Sequence, residues 1–360
     1  MSDLGRKDIG DKIESKVKPD SQKSTFEQAK DKVTDAVDNL AGGIRTYVYN
    51  SDSLSAYVKS FNNATTNIDE IPVNVVYLIH PRLGNYKFTE SIAYNVLHQY
   101  YAKKQTTTSS STATPPLICV TFDLRNHGER EVDSLNNYGW NELPDRKNDT
   151  HAVDMVSSIM GNVADIKLII DFLPSYLNLD ALLSNRFKQT HQHYNIQYNN
   201  ILSGYSLGGH TVFRFANEYP DLVTAINPVV GSIDLSSLLV NRLKQNPVDG
   251  DNYDKKWFFY NYAELGLTAK QQDTQYPETF HKLLSKQDED IFENFPMGKI
   301  AMFASFGKED TLVPPRLSLV WCDTYLNTND KSEVFVQDGV GHEVTKEMID
   351  SFTTWLAKLI

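Results

Sequence analysis

Three side chains of this 360-residue chain have the types and placement that acyl transfer needs: Ser206, Asp310 and His342. A serine hydroxyl is a poor nucleophile until a base takes its proton, and the base needs a carboxylate to orient it. Ser206 lies in Gly204-Tyr205-Ser206-Leu207-Gly208, between NNIL, which reads as a strand, and TVFRFANEYP, which reads as a helix. A sharp strand-to-helix turn crowds the positions two before and two after its central residue, and Gly204 and Gly208 stand there. The helix that starts at Leu207 aims its first N–H groups at the hydroxyl, where they meet developing negative charge. A serine here also suits a plain helix N-cap. What distinguishes the two readings is the rest of the chain.

Asp310 follows the apolar run IAMFASF, in GKEDTLVPP. His342 follows SEVFVQ and precedes the last helical stretch, in DGVGHEVTKE. Each falls in a loop just beyond a predicted strand, in the order Ser, Asp, His. Glu309, adjacent to Asp310, offers the same carboxylate. An oxyanion hole needs two backbone donors. Leu207 supplies one, and the loop after YLI, His80-Pro81-Arg82-Leu83-Gly84, is expected to supply the other. Pro81 has no N–H, so Arg82 is the candidate, with Leu83 behind it. An inward Arg82 side chain would bind an acidic group, but solvent is its expected fate. His127 reads as a turn residue bonded to backbone, and His210 as packed on the helix behind the serine. His80 and His151 suit a pocket lining or a structural role. His98, His191, His193 and His281 carry no specific signal.

Elements must hold these residues in place, and the chain alternates strand and helix. VNVVYLI and PLICVTFDL read as buried strands, and NIQYNNILSG, AINPVVG, IAMFASF and SEVFVQ as further strands. FTESIAYNVLHQYY, DMVSSIMGNVADIKLIIDFLPSYL, LGGHTVFRFANEYP, LSLVWCDTYL and EVTKEMIDSFTTWLAKLI read as helices, with Pro174 ending or kinking the second. QTTTSSSTATPP is a low-complexity loop. The alternation implies a mostly parallel sheet with helices on both faces and ligands at the carboxyl ends of the strands. Residues 232–298 break it: SSLLVNRLKQ, DKKWFFYNYAEL and ETFHKLLSKQ read as helices of a cap.

From about Arg45 onward the chain resembles the α/β-hydrolase superfamily. GYSLGG, the G-x-x-D-x-x-V-P pattern at residues 307–314, and Gly341-His342 carry the resemblance. TFDLRNHGER adds the D-x-R-x-H-G turn after an early strand. With NDTHAVDM and a long helix after it, this turn is similar to a fungal branch of serine hydrolases. The resemblance implies the α/β-hydrolase fold and a Ser206-Asp310-His342 triad with Leu207 and Arg82 as oxyanion donors. The resemblance gives a reaction type and no substrate; a small ester or thioester, cleaved through an acyl-enzyme with no metal or cofactor, is the expected one. The alternatives are a weak or inactive hydrolase-fold stress protein acting at membranes or by binding, and lyase, transferase or peroxidase chemistry on the same triad.

Bulk properties narrow the partners. The formal net charge is -11, which argues against nucleic acid, whose phosphates need a Lys/Arg surplus. No apolar run approaches the ~18 residues of a membrane span. Cys119 and Cys322 read as buried thiols in a reducing, cytoplasmic setting. Sequons at Asn63 and Asn148 read as chance matches. Residues 1–44 differ from the rest: they are highly charged, with Phe26 their one aromatic side chain, and are expected to be disordered outside a larger fold. Phe26, Ala29, Val33, Ala36, Val37 and Leu40 space out a weak amphipathic helix closed by Gly42 and Gly43. The MSD-x-GRK opening and KPDSQKS resemble the fungal small heat-shock proteins of nine and twelve kilodaltons. That implies a stress-linked tail with weak contact to lipid surfaces and peripheral membrane association. Residues 45–360 form the expected hydrolase domain.

Overall fold

In the computed structural model, which describes residues 34–40, 43–107, 115–141 and 146–360, the sheet is built outward from strand β3 (Glu70–Ile79). Its residues 73–79 are all buried, because both faces of the strand are covered. Val75, Tyr77 and Ile79 point into one apolar layer and Val76 and Leu78 into the other, as the two-residue period of a strand requires. Each such aliphatic side chain contributes about 1.5–3 kcal/mol on burial. The first layer packs under helices α3 (His151–Leu177) and α5 (Leu207–Glu218), and the second under α2 (Tyr86–Thr107) and α9 (Lys346–Leu359).

The other strands are β1 (Thr34–Leu40), β2 (Ile44–Tyr49), β4 (Leu117–Phe122), β5 (Asn195–Tyr205), β6 (Ala225–Val229), β7 (Ala301–Gly307) and β8 (Glu333–Gln337). They run in the order β1-β2-β4-β3-β5-β6-β7-β8. β1 and β2 pair antiparallel, as do β2 and β4, and all later neighbours are parallel. The chain leaves β3 for β4 on one side and returns to β5 on the other. This switch in direction opens a crevice at the carboxyl ends of β3 and β5, where Ile79 and Gly204 lie in register. Short helices α1 (Ser51–Ser60) and α4 (Asn185–Thr190) complete the flank, and α8 (Leu319–Thr328) joins β7 to β8.

Three expectations need correction. Residues 34–40 form β1 rather than the second half of an amphipathic helix, and the sheet begins before residue 45. The open edge of β2 offers backbone partners along the whole segment, which outweighs a weak helical period. Gly43, at φ 74°, serves the turn into β2 instead of closing a helix. The expected disorder of the segment before it, and the helical spacing from Phe26 to Val33, lie outside the described residues. Second, Pro174, expected to end or kink α3, does not end it: the helix runs on to Leu177, with Pro174 in the last turn, where its carbonyl accepts the Asn178 N–H. Third, 254–265 forms 3₁₀ turns rather than an α-helix. The Trp257 N–H donates to Ser237 Oγ at 2.9 Å and its indole to Asn241 Oδ1 at 3.1 Å, so side-chain anchors set the local path.

The insert 232–298 otherwise matches its helical reading, with α6 (Leu235–Lys244) and α7 (Glu278–Asn294) as its α-helices. A buried ion pair ties it to α5: Arg214 of α5 donates to Asp288 of α7, and Asp288 also accepts the Ser236 N–H at 2.6 Å. Asp288→Ala strands the Arg214 charge in the interior and is expected to cost about 3–5 kcal/mol, while Arg214→Met with Asp288→Leu costs far less. Urea unfolding midpoints of the two variants test this ordering.

Candidate active site

Ser206 joins β5 to α5 with φ 53° and ψ -107°, a conformation a non-glycine residue holds only when its surroundings force it. Glycines supply the force. A Cβ on Gly204 would fall onto the Gly208 carbonyl, and one on Gly208 onto the Ile79 carbonyl, both well inside contact distance. The turn is pinned by the Ser206 N–H, which donates to Val229 O at 2.9 Å. Beyond β6, Val230 holds φ 45°, rare for a β-branched residue, and Gly231 packs on Gly209, where a Cβ would sit 2.9 Å from the Gly209 Cα. Ser206 is half-buried, with its hydroxyl at the crevice.

The same device brings Asp310 to His342. A Cβ on Gly307 would meet the Gly341 carbonyl, so the loops after β7 and β8 press together, and Glu309 N–H donates to Val340 O at 2.9 Å. Asp310 is buried and Glu309 exposed, so Asp310 is the carboxylate that reaches the imidazole. Its Oδ1 accepts the N–H groups of Leu312 and Val313, each at 2.8 Å. Its Oδ2 lies 2.7 Å from His342 Nδ1, and His342 Nε2 lies 2.8 Å from Ser206 Oγ. A carboxylate only accepts, so Nδ1 carries the ring proton. That leaves Nε2 bare to accept the serine hydroxyl. Ser206, Asp310 and His342 therefore meet from β5, β7 and β8.

Leu207 opens α5, whose first N–H groups have no acceptor within the helix. The loop after β3 turns tightly: Gly84 N–H donates to Pro81 O at 3.0 Å and Leu83 holds φ 64°. His80 braces it, donating from Nδ1 to Pro81 O at 2.8 Å and accepting the Leu124 N–H on Nε2 at 3.0 Å. The Arg82 side chain turns neither to solvent nor into a free pocket: it is buried and donates to Asn137 O. His80, His127 and His210 are buried structural rings. Burial pulls His80 down to about 3, helped by nearby His127. It pulls His127 down to about 4, against its bond to the Arg125 carbonyl, and His210, which contacts Ser232, down to about 3. His151 is buried at the start of α3, edge-on to Trp140.

The 121–130 motif is structural. Asp123 accepts the N–H groups of Tyr86 at 2.7 Å and Glu129 at 2.8 Å. Gly128, at φ 56°, leaves room where a Cβ would strike that carboxylate. Arg125 and Arg130 pair with Asp165. Cys119 and Cys322 are buried free thiols. Among the described residues no group of His, Cys, Asp and Glu could hold a metal ion, and no helix is long and apolar enough to cross a membrane. Sequence reasoning missed Val230 and the insert's Arg242, whose Nε donates to Leu312 O at 3.1 Å. No local motif marks either one.

The buried rings fix a pH dependence. His127 stays neutral in the folded chain at pH 5, while in the unfolded chain it is protonated. The unfolded state thus binds more protons below about pH 6.5, and stability falls as pH drops from there toward 4. By pH 5 this term is about 2 kcal/mol. His127→Asn lacks it, so urea titrations at pH 7.5 and pH 5 are expected to show the variant losing about 2 kcal/mol less than wild type.

Comparisons with known proteins fall on two parts of the chain. Residues 1–47 match the family model described as Heat shock protein 9/12. White colony protein WHS11 of Candida albicans (strain WO-1) is 81% identical over 42 residues, which are 12% of this chain and 65% of that protein. The chain thus spans less than two thirds of that relative. Over the body, TT1662 from Thermus thermophilus superposes with a TM-score of 0.50 at 14% identity, covering 91% of this chain and 97% of that one. Acetyl xylan esterase 1 from Thermoanaerobacterium sp. JW/SL YS485 gives a TM-score of 0.47 at 14% identity, covering 95% and 94%. The chain joins an N-terminal segment that matches the heat shock protein 9/12 family model to a body with the α/β-hydrolase fold.

Proposed function

We propose that the protein is a serine hydrolase that cleaves an ester or thioester through an acyl-enzyme. One observation carries the reading: an unbroken hydrogen-bonded line from Ser206 Oγ through His342, at 2.8 Å, to Asp310, at 2.7 Å. His342 Nε2 takes the hydroxyl proton as Oγ attacks the substrate carbonyl. Asp310, held by two amides, stabilises the imidazolium. That cation then protonates the leaving alcohol or thiol, and water repeats the sequence to release the acid. The backbone N–H groups of Leu207 and Arg82 receive the oxyanion.

Esters and thioesters suit this site better than peptides. One common way to bind an extended peptide is to add it as a strand to an open sheet edge. Ser206 ends β5, an interior strand, and among the described residues the sheet's terminal strands are β1 and β8. The heat shock protein 9/12 segment at residues 1–47 supports a role linked to stress.

The test is turnover of p-nitrophenyl esters of increasing chain length. Wild type is expected to release p-nitrophenol with an initial burst, the mark of an accumulating acyl-enzyme. Asp310→Asn is expected to lower kcat by about 10³–10⁴-fold while remaining folded. Folded wild type that shows neither burst nor turnover with any ester would contradict the hydrolase reading and leave the stress-linked segment as the guide to a binding role.

A further inference from the structure

Asp310 is positioned by the peptide that joins Leu312 to Val313. The N–H of that peptide belongs to Val313 and donates to Asp310 Oδ1 at 2.8 Å. Its carbonyl belongs to Leu312 and accepts from Arg242, through Nε at 3.1 Å and through Nη2. In a planar trans peptide the N–H and C=O point in opposite directions. Holding the carbonyl therefore fixes where the N–H aims. A hydrogen bond at the carbonyl also polarises the peptide and strengthens its N–H as a donor. Arg242 lies in the last turn of α6, so a side chain of the insert sets the direction of a donor to the carboxylate that faces His342.

Further bonds close the same seam. Arg316 Nη1 donates to Val248 O at 2.6 Å, and its Nε to Asp254 Oδ1 at 3.0 Å. Lys256 Nζ donates to Leu317 O at 2.8 Å. Buried Tyr253 lies among the charges of Arg242, Asp310 and Arg316. The insert from Arg242 to Lys256 and the loop that carries Asp310 thus form one hydrogen-bonded unit.

We propose that Arg242 is a positioning residue for Asp310, coupling the insert to the Ser206–His342–Asp310 line through the Leu312–Val313 peptide. Its kinetic consequence rests on the hydrolase reading of that site, whereas its structural consequence does not.

Two measurements test it on the full chain, with thermal melts to confirm folding. The first is ester turnover by Arg242→Gln, Arg242→Lys and Asp310→Asn, alone and combined. Arg242→Gln is expected to lower kcat about tenfold with KM changed less than about twofold, and to lower it less than about twofold further in the Asp310→Asn background. Arg242→Lys recovers part of the loss, because one ammonium can still hold the carbonyl. The second is the low-field proton resonance of His342 Nδ1–H, which needs no turnover. It is expected to shift or broaden in Arg242→Gln and to return toward wild type in Arg242→Lys. An unchanged resonance in folded Arg242→Gln overturns the proposal. So does an equal loss of kcat in both backgrounds, or a rise in KM alone, which would make Arg242 a substrate-binding group. Wild type that hydrolyses nothing counts against the hydrolase reading, and the resonance still decides the role of Arg242.

Discussion

The first turn of α5 passes so close to the end of β3 that Gly208 faces the Ile79 carbonyl with no room for a Cβ. Much of the site follows from that approach. It needs β3 and β5 adjacent and in register, which the switch in strand order provides. It drives Ser206 into its strained conformation and brings the loop after β3 beside the start of the helix. A nucleophile candidate and two candidate amide donors thus come from two neighbouring strands, with strain held in place by packing on both faces of the sheet.

A second close approach, Gly307 against the Gly341 carbonyl, does the same for the acid and the base. Asp310 and His342 lie on consecutive strand ends, but their contact depends on loops that interlock through backbone. The insert then closes the arrangement from outside. Arg214 and Asp288 fasten it to the back of α5, and Arg242 fastens it to the acid loop. Both attachments are polar and partly or fully buried, where a lost partner costs more than a surface pair would.

Much of this was legible in the sequence. β3, β4, β6 and β7 are largely apolar, buried runs because helices cover both faces, and burial of that kind writes itself into composition. Ser206, Asp310 and His342 were legible because each stands just after a stretch that reads as a strand. β1 was not, because its helical spacing is weaker than the pull of an unpaired β2 edge. The turns at 254–265 were not, because their path is set by Trp257 anchoring to α6. The fate of the Arg82 side chain depends on the Asn137 carbonyl, 55 residues away in sequence. The grip of Arg242 on Leu312 spans 70 residues. No local pattern encodes partners that only the fold brings together. The choice between Glu309 and Asp310 was likewise open until Gly307 and Gly341 set which of the two faces inward.

The account's central claim is that Ser206 is an activated nucleophile. The most direct measurement is labelling of the folded full chain with a fluorophosphonate, followed by peptide mass spectrometry to locate the adduct. The account predicts a single adduct on Ser206 that disappears in Ser206→Ala. Folded wild type that stays unlabelled, or a label that persists in Ser206→Ala, would contradict it.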